Sequence, residues 1–358
     1  MINKINIKYS LIGLLLITFS VSGFSQTGKD SVAKTIVKTV KFDGVIKTKL
    51  EMSTDAGVMR FNVRNSRVGV RGDIGERLSY RFQVEFSNEG VFSPLDMFGT
   101  LKPTKNISFL LGQQHVPFEN NYIITPAEMM FANRTFVGKF FTPGTRDIGA
   151  VAQYRFRIGS LPVEGQAGMF NGGKINNPQW TSRPSFACRL IAGSMDGFRS
   201  TAKVYRYYRE PTDNSDALDL LLWGADIRYA NSHLRVEAEM MNRHSYTTGL
   251  DLLGTYLQSA YTFNLPNAKM FHCLTPAARW DTMAYDLKND GFDVQRLTAG
   301  ISFGLTFIPF DSLLRIDYEH YFIRNGIASP SSPSFPDFQN RDPRMADNKV
   351  TVELVVRF

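Results

Sequence analysis

A chain of 358 residues is long enough for one large β-domain or two ordinary domains. Its formal charge of +8 suits anionic solutes or a surface meeting anionic headgroups, and without a basic cluster it argues against nucleic acid. Two cysteines, Cys188 and Cys273, exclude a disulfide framework and read as isolated small apolar residues.

Residues 1–25 have the pattern of a cleaved secretory signal peptide. Lys4 and Lys8 form a basic start, Leu11 to Val21 a short apolar run, and Gly23 and Ser25 a small-residue cleavage site. The run is too short for a spanning helix, and no later stretch approaches eighteen apolar residues. Cleavage lowers the charge to +6 (39 basic against 33 acidic residues). A short segment, 26–39, then leads into the first strand, which leaves no room for a plug domain.

From there alternation with a period of two dominates. Leu78, Tyr80, Phe82, Val84 and Phe86 are apolar; Ser79, Arg81, Gln83 and Glu85 between them are polar. The same pattern recurs at 146–158, 233–242, 312–322 and 347–358. About sixteen strands are predicted, spanning 40–358. Connections after even-numbered strands are mostly short, and several after odd-numbered strands are long and polar. That layout points to an all-β, transmembrane antiparallel barrel with both termini on the periplasmic, short-turn side. The terminal Phe358 closes an alternating apolar strand, as in chains inserted into outer membranes. Aromatics near strand ends, such as Tyr205, Tyr207, Tyr208 and Tyr321, suit interfacial girdles. A mean hydropathy of −0.18 fits strands in which every second residue is polar.

The longest connection before the C-terminal region runs from 116 to 145. It carries Phe118, Tyr122, Phe131, Phe136, Phe140 and Phe141, too many aromatics for a disordered segment. The expectation is a third external loop folded inward against the strands.

Several stretches resemble the phosphate-selective porin O and P family. They are Phe61-Asn-Val-Arg-Asn-Ser-Arg-Val-Gly-Val-Arg-Gly, the loop entry Gly112-Gln-Gln-His-Val-Pro-Phe-Glu, and the loop exit Pro143-Gly-Thr-Arg-Asp-Ile-Gly. Phe170-Asn-Gly, Ala278-Arg-Trp and the last strand add to the likeness, which covers nearly the whole mature chain. The resemblance implies a sixteen-stranded trimeric barrel whose third loop narrows the pore, with an arginine ladder and a lysine cluster that select phosphate. Arg64, Arg81, Arg155, Arg189, Arg235, Arg279, Arg296 and Arg315 occupy the polar phase of their strands and are the candidate pore-lining, anion-binding residues. A guanidinium suits that role because its planar fork binds oxyanions without losing charge. The lysine cluster is a departure. The loop offers only Arg134 and Lys139, with Arg146 at its exit, beside Glu119 and Glu128. Each arginine also has a plainer reading as a wall-bracing ion pair, since Glu85, Glu237, Glu239, Asp317 and Glu319 lie nearby in sequence. A general pore with a weak anion preference is favoured over phosphate selectivity.

No catalytic constellation is legible. His115, His233, His244, His272 and His320 lack metal-ligand spacing, and no GxSxG elbow or P-loop occurs. No cofactor is expected. The expectation is a passive outer-membrane porin of a Gram-negative bacterium, trimeric, in contact with lipid and lipopolysaccharide and passing small hydrophilic solutes or anions. The alternatives are an outer-membrane barrel enzyme, marked by His or Ser dependence, and a secreted soluble β-protein binding glycans, which would need no detergent.

Overall fold

Alternating side chains on successive hydrogen-bonded strands close into a barrel. The computed structural model describes residues 39–86, 92–118, 120, 124–211, 216–285, 292–308, 311–323, 344 and 347–358. The signal segment expected over 1–25, residues 26–38 of the N-terminal segment expected over 26–39, and loop residue Glu119 lie outside the described residues, and Thr39 already belongs to the first strand.

Eighteen strand segments among the described residues make sixteen antiparallel strands. They are β1 (Thr39–Ser53), β2 (Val58–Val63 continued by Ser66–Ile74), β3 (Leu78–Phe86), β4 (Phe92–Leu101), β5 (Ile107–His115) and β6 (Arg146–Ile158). There follow β7 (Leu161–Phe170), β8 (Ser185–Gly193), β9 (Gly197–Arg209), β10 (Leu218–Ala230) and β11 (Leu234–Ser245). The last are β12 (Asp251–Tyr261 continued by Phe263–Asn264), β13 (Phe271–Tyr285), β14 (Val294–Leu305), β15 (Asp311–Ile323) and β16 (Lys349–Arg357). Each strand pairs with its neighbour in sequence, and β1 pairs with β16 to close the sheet. Closure removes the unpaired edges that a spanning sheet cannot leave in lipid. The seam is tied at the short-turn end, where Gly44 N donates to Phe358 O (2.8 Å) and Phe358 N to Gly44 O (3.1 Å).

The two faces divide by chemistry. Phe42, Phe61, Phe82, Leu111, Trp223 and Trp280 are exposed on the outside. So broad an apolar exterior is a surface for hydrocarbon, not water. Inward-facing Lys47, Asp226, Glu239, Arg279, Asp281 and Glu353 are buried. Cys188 and Cys273 are free, Cys188 being exposed.

The alternation slips within β2. Asn65 adopts a positive φ of 56° and interrupts the strand. A one-residue slip flips every later side chain to the other face. Arg64 falls in the break and is exposed, so it does not line the lumen as expected; Arg67, at 6% exposure, takes that place. Three of the aromatics assigned to an interfacial girdle are also corrected. Tyr205 and Tyr207 are 1% exposed and point inward, and the Tyr321 ring lies inside the barrel, tilted against Phe136 with centroids 6.1 Å apart.

Candidate pore and its constriction loop

The connection between β5 and β6 folds into the barrel. Its neck closes where Val116 N donates to Thr145 O (3.0 Å). A 3-10 turn, Pro126–Glu128, and a five-residue helix, α1 (Phe136–Phe140), shape it. The Thr135 hydroxyl caps α1 by accepting from Gly138 N (3.0 Å). Phe118, Val137 and Phe141 are fully buried and join Tyr205, Leu220, Leu222, Met241 and Met283 in one apolar cluster. An apolar cluster of this size inside a barrel seals part of the lumen against water.

Wall charges hold the loop backbone. Arg279 donates to Asn133 O (2.9 Å), Arg296 to Arg134 O (2.7 Å), Arg235 to Glu128 O (2.7 Å), and Arg315 to Met129 O. In the other direction Asp317 accepts from Ala132 N (2.7 Å) and Asp281 from Phe136 N (2.9 Å). Arg189 and Arg199 both donate to the Asn120 side-chain oxygen. The guanidinium of Arg279 also lies 4.6 Å from the centroid of Phe131, and that of Arg296 4.6 Å from Phe136.

These arginines are neutralised where they stand. Arg296 meets Asp281 (2.6 Å) and Glu319 (2.9 Å), Arg279 meets Glu319 (3.5 Å), Arg315 meets Glu353 (2.8 Å), and Arg235 meets Glu237 (2.7 Å). Four of the eight candidate ladder arginines therefore brace the wall and clamp the loop. Arg155 is half-exposed near the short-turn rim, paired with Glu164 (2.6 Å). Among the loop candidates, Glu128 accepts from Arg357 (3.2 Å), and Arg146 is buried against Asp96 (2.6 Å). Lys139 sits on α1, and its side chain lies outside the described residues.

The opposite half of the lumen is open. Two cavities of about 520 Å³ each lie against the β1–β8 wall and share Arg71, Arg81, Asp96 and His115. One adds Lys41, Lys102, Arg189 and Asp73; the other adds Arg67, Arg146, Arg357, Asp43 and the loop's Thr125–Glu128 edge. The combined lining carries eight lysines and arginines against four carboxylates. Several pairs are tight: Arg67 with Glu85 (2.7 Å), Arg81 with Asp43, and Arg71 with Asp43 (3.5 Å). Lys41 has no ion pair within 4.0 Å among the described residues. Gly69 makes room for the Arg81 guanidinium, since a Cβ there would meet it at 2.9 Å.

Arg81 and Arg189, expected in the lumen, and Arg146, expected at the loop exit, all line these cavities. Arg67 and Arg71 were not expected there, because the slip at Asn65 hides their phase, although Arg67-Val-Gly-Val-Arg71 alternates by itself. Asp281 and Asp317 had no sequence signal as loop anchors, since the loop groups they accept from are distant backbone N–H groups.

These distances join one inward loop to one polar wall within a closed sixteen-stranded barrel. The fold is that of the bacterial porins. An outer-membrane protein of Vibrio cholerae, OmpT folded in vitro, superposes with a TM-score of 0.59 over 89% of this chain and 99% of its own, at 13% identity. The outer-membrane channel DcaP of Acinetobacter baumannii gives 0.57 over 93% and 100%, at 14% identity. An anion-selective porin from Comamonas acidovorans gives 0.59 over 89% and 98%, at 11% identity. No protein-family model matches the chain, and no curated protein matches it in sequence.

Geometry bears on the enzyme alternative as well. His244 and Ser245 point to opposite faces of β11, as neighbours on a strand must. Ser245 Oγ is occupied by Thr248 N (3.2 Å), while His244 meets Asp251 (3.0 Å). Among the described residues no group of three His, Cys, Asp or Glu could hold a metal ion.

Proposed function

We propose that the chain is an outer-membrane channel through which small hydrophilic solutes diffuse passively, with a preference for anions. The observation that carries the preference is the excess of eight cationic over four anionic side chains along the open half of the lumen. Field lines concentrate in such a passage and raise the local concentration of counter-ions. The inward loop narrows the passage because its opposite edge is fastened to β9–β15. In this reading the barrel is exported by its signal segment, sits in the outer membrane of a Gram-negative bacterium among lipid and lipopolysaccharide, and assembles as a homotrimer. Passive diffusion calls for no catalytic group and no cofactor.

Phosphate preference is the finer reading, and the porin O and P resemblance supports it. Against it stand the ladder arginines already balanced by carboxylates.

The test is single-channel current of the detergent-purified mature chain in a planar bilayer under a salt gradient, with phosphate added as competitor. A stable anion-selective conductance is expected. Block by millimolar phosphate would carry the finer reading; indifference would leave a general anion-preferring pore. No conductance, or a mature chain soluble without detergent, would overturn the channel.

A further inference from the structure

On the short-turn side of the loop, five lumenal side chains lie side by side across β5 to β9. Ser108 is opposite Gln153, Gln153 opposite Gln166, Gln166 opposite Arg189, and Arg189 opposite Lys203. Directly opposed residues have Cβ atoms about 5 Å apart, so these five form one continuous row. The row contains no carboxylate.

Arg189 differs from the arginines of the clamp. It is 4% exposed, yet it has no ion pair within 4.0 Å among the described residues. It donates to the Asn120 side-chain oxygen, and its Nε bonds nothing. Its neighbour Lys203 is taken up by Glu239 and by Asp226 (3.3 Å). A buried cation without a counter-charge is costly unless an anion completes it. The Gln153 side chain has no protein hydrogen bond among the described residues, and Gln166 spends one N–H on Glu164 (2.5 Å).

The next row toward the loop has another chemistry. Leu110, Val151, Gly168 and Ala187 are mutually opposite, and none is polar. Leu110, Val151 and Pro117 of the loop line the same cavity as Gln153, Gln166 and Arg189. One cation that makes no direct ion pair, two amides and an apolar shelf therefore face one space.

We propose that this row is a binding subsite for small organic carboxylates. Arg189 takes the carboxylate, Gln153 and Gln166 take a hydroxyl or amide on the solute's body, and the Leu110–Val151–Pro117 shelf takes a short hydrocarbon part. Inorganic phosphate fits less well, because the row itself offers its second charge no second unpaired cation and its oxygens would face the shelf. The subsite rests on the anion-preferring channel reading and names the solute class for it.

N-acetylalanine carries all three features and serves as the probe. Each channel's block is measured against its own open current, with propionate and phosphate for comparison. Block at millimolar concentration is expected. Arg189→Gln removes a charge-assisted hydrogen bond, which should raise the half-blocking concentration about tenfold or more. Gln153→Leu should weaken block by N-acetylalanine while leaving block by propionate. Arg189→Lys, which keeps the charge and the volume, should retain part of the block and guards against a folding defect. Equal block of the parent channel and Arg189→Gln, or phosphate blocking as strongly as N-acetylalanine, would overturn the subsite. Calorimetric titration of the detergent-solubilised full chain separates the two claims. Heat of binding without conductance would keep the subsite and refute the channel; conductance without binding or block would do the reverse.

Discussion

Gly254 of β12 is the socket for Phe141 of the inward loop. A Cβ at Gly254 would lie 2.5 Å from Phe141 Cζ and 3.0 Å from Val137 Cγ2. A second socket lies at Gly300 of β14, where a Cβ would meet Phe131 at 3.2 Å. The loop is thus seated by shape as well as charge, ring by ring, on the β12–β14 wall.

The sockets make a direct prediction. Gly254→Val should push Phe141 out, at a cost of about 1–3 kcal/mol for overpacking. Conductance should rise and ion selectivity should weaken. Deleting residues 127–140 should do both more strongly. Unchanged currents in the deletion would mean that the loop does not border the pore.

Arg296 is the centre of the polar clamp. Removing it leaves Asp281 and Glu319 buried with a lost partner, and breaking such a pair costs about 3–5 kcal/mol. Arg296→Met should lower the thermal unfolding midpoint in detergent. Arg296→Met with Asp281→Leu should recover part of the loss, since no buried carboxylate is then stranded at Asp281. A double variant less stable than the single one would show that the clamp acts through something other than charge balance.

The open wall should set selectivity. Lys41→Gln combined with Arg71→Gln removes two cations from the passage without touching the loop. The reversal potential in a salt gradient should shift toward cation preference. No shift would mean that ions do not pass along β1 and β2.

Two loops beyond the strand ends are latched by a carboxylate. Glu210 accepts from the Ser182 hydroxyl (2.7 Å) and the Ser182 N–H (2.8 Å), which hold its pKa below the ordinary value. A lowered carboxylate pKa means that the latch is fully present above the free value of about 4.3. It is lost as pH falls through the lowered value. Amide exchange at Ser182, corrected for its intrinsic rate, should be protected at neutral pH and released in acid. Glu210→Gln should abolish most of that dependence.

Much of the barrel was legible because a spanning strand must alternate, and alternation survives in Leu78–Phe86 or Leu234–Met240 without knowledge of the fold. The inward loop was legible from its aromatics and its breaks at Pro117 and Pro143. What alternation cannot report is the partner. The sequence places Arg279, Arg296 and Arg315 in the lumen, but only three dimensions bring Asp281, Glu319, Glu353 and the loop carbonyls against them. So Arg279, Arg296 and Arg315, which carry the ladder pattern, are fasteners. The cations beside the open space, Arg67 and Arg71, were hidden by a single residue with positive φ. Tyr205 and Tyr207 read as girdle residues because period two gives a face but not which face meets lipid.

In the proposed channel solutes pass between the loop and the β1–β8 wall, not through the clamped side. Cysteine modification during current recording tests it, after Cys188 and Cys273 have been replaced. Lys41→Cys lies on the open wall, whereas Thr298 is fully buried beneath the loop. A charged, membrane-impermeant thiosulfonate should cut the current of Lys41→Cys and leave that of Thr298→Cys unchanged. Current that responds at Thr298→Cys and not at Lys41→Cys would put the path on the other side of the loop and contradict the account.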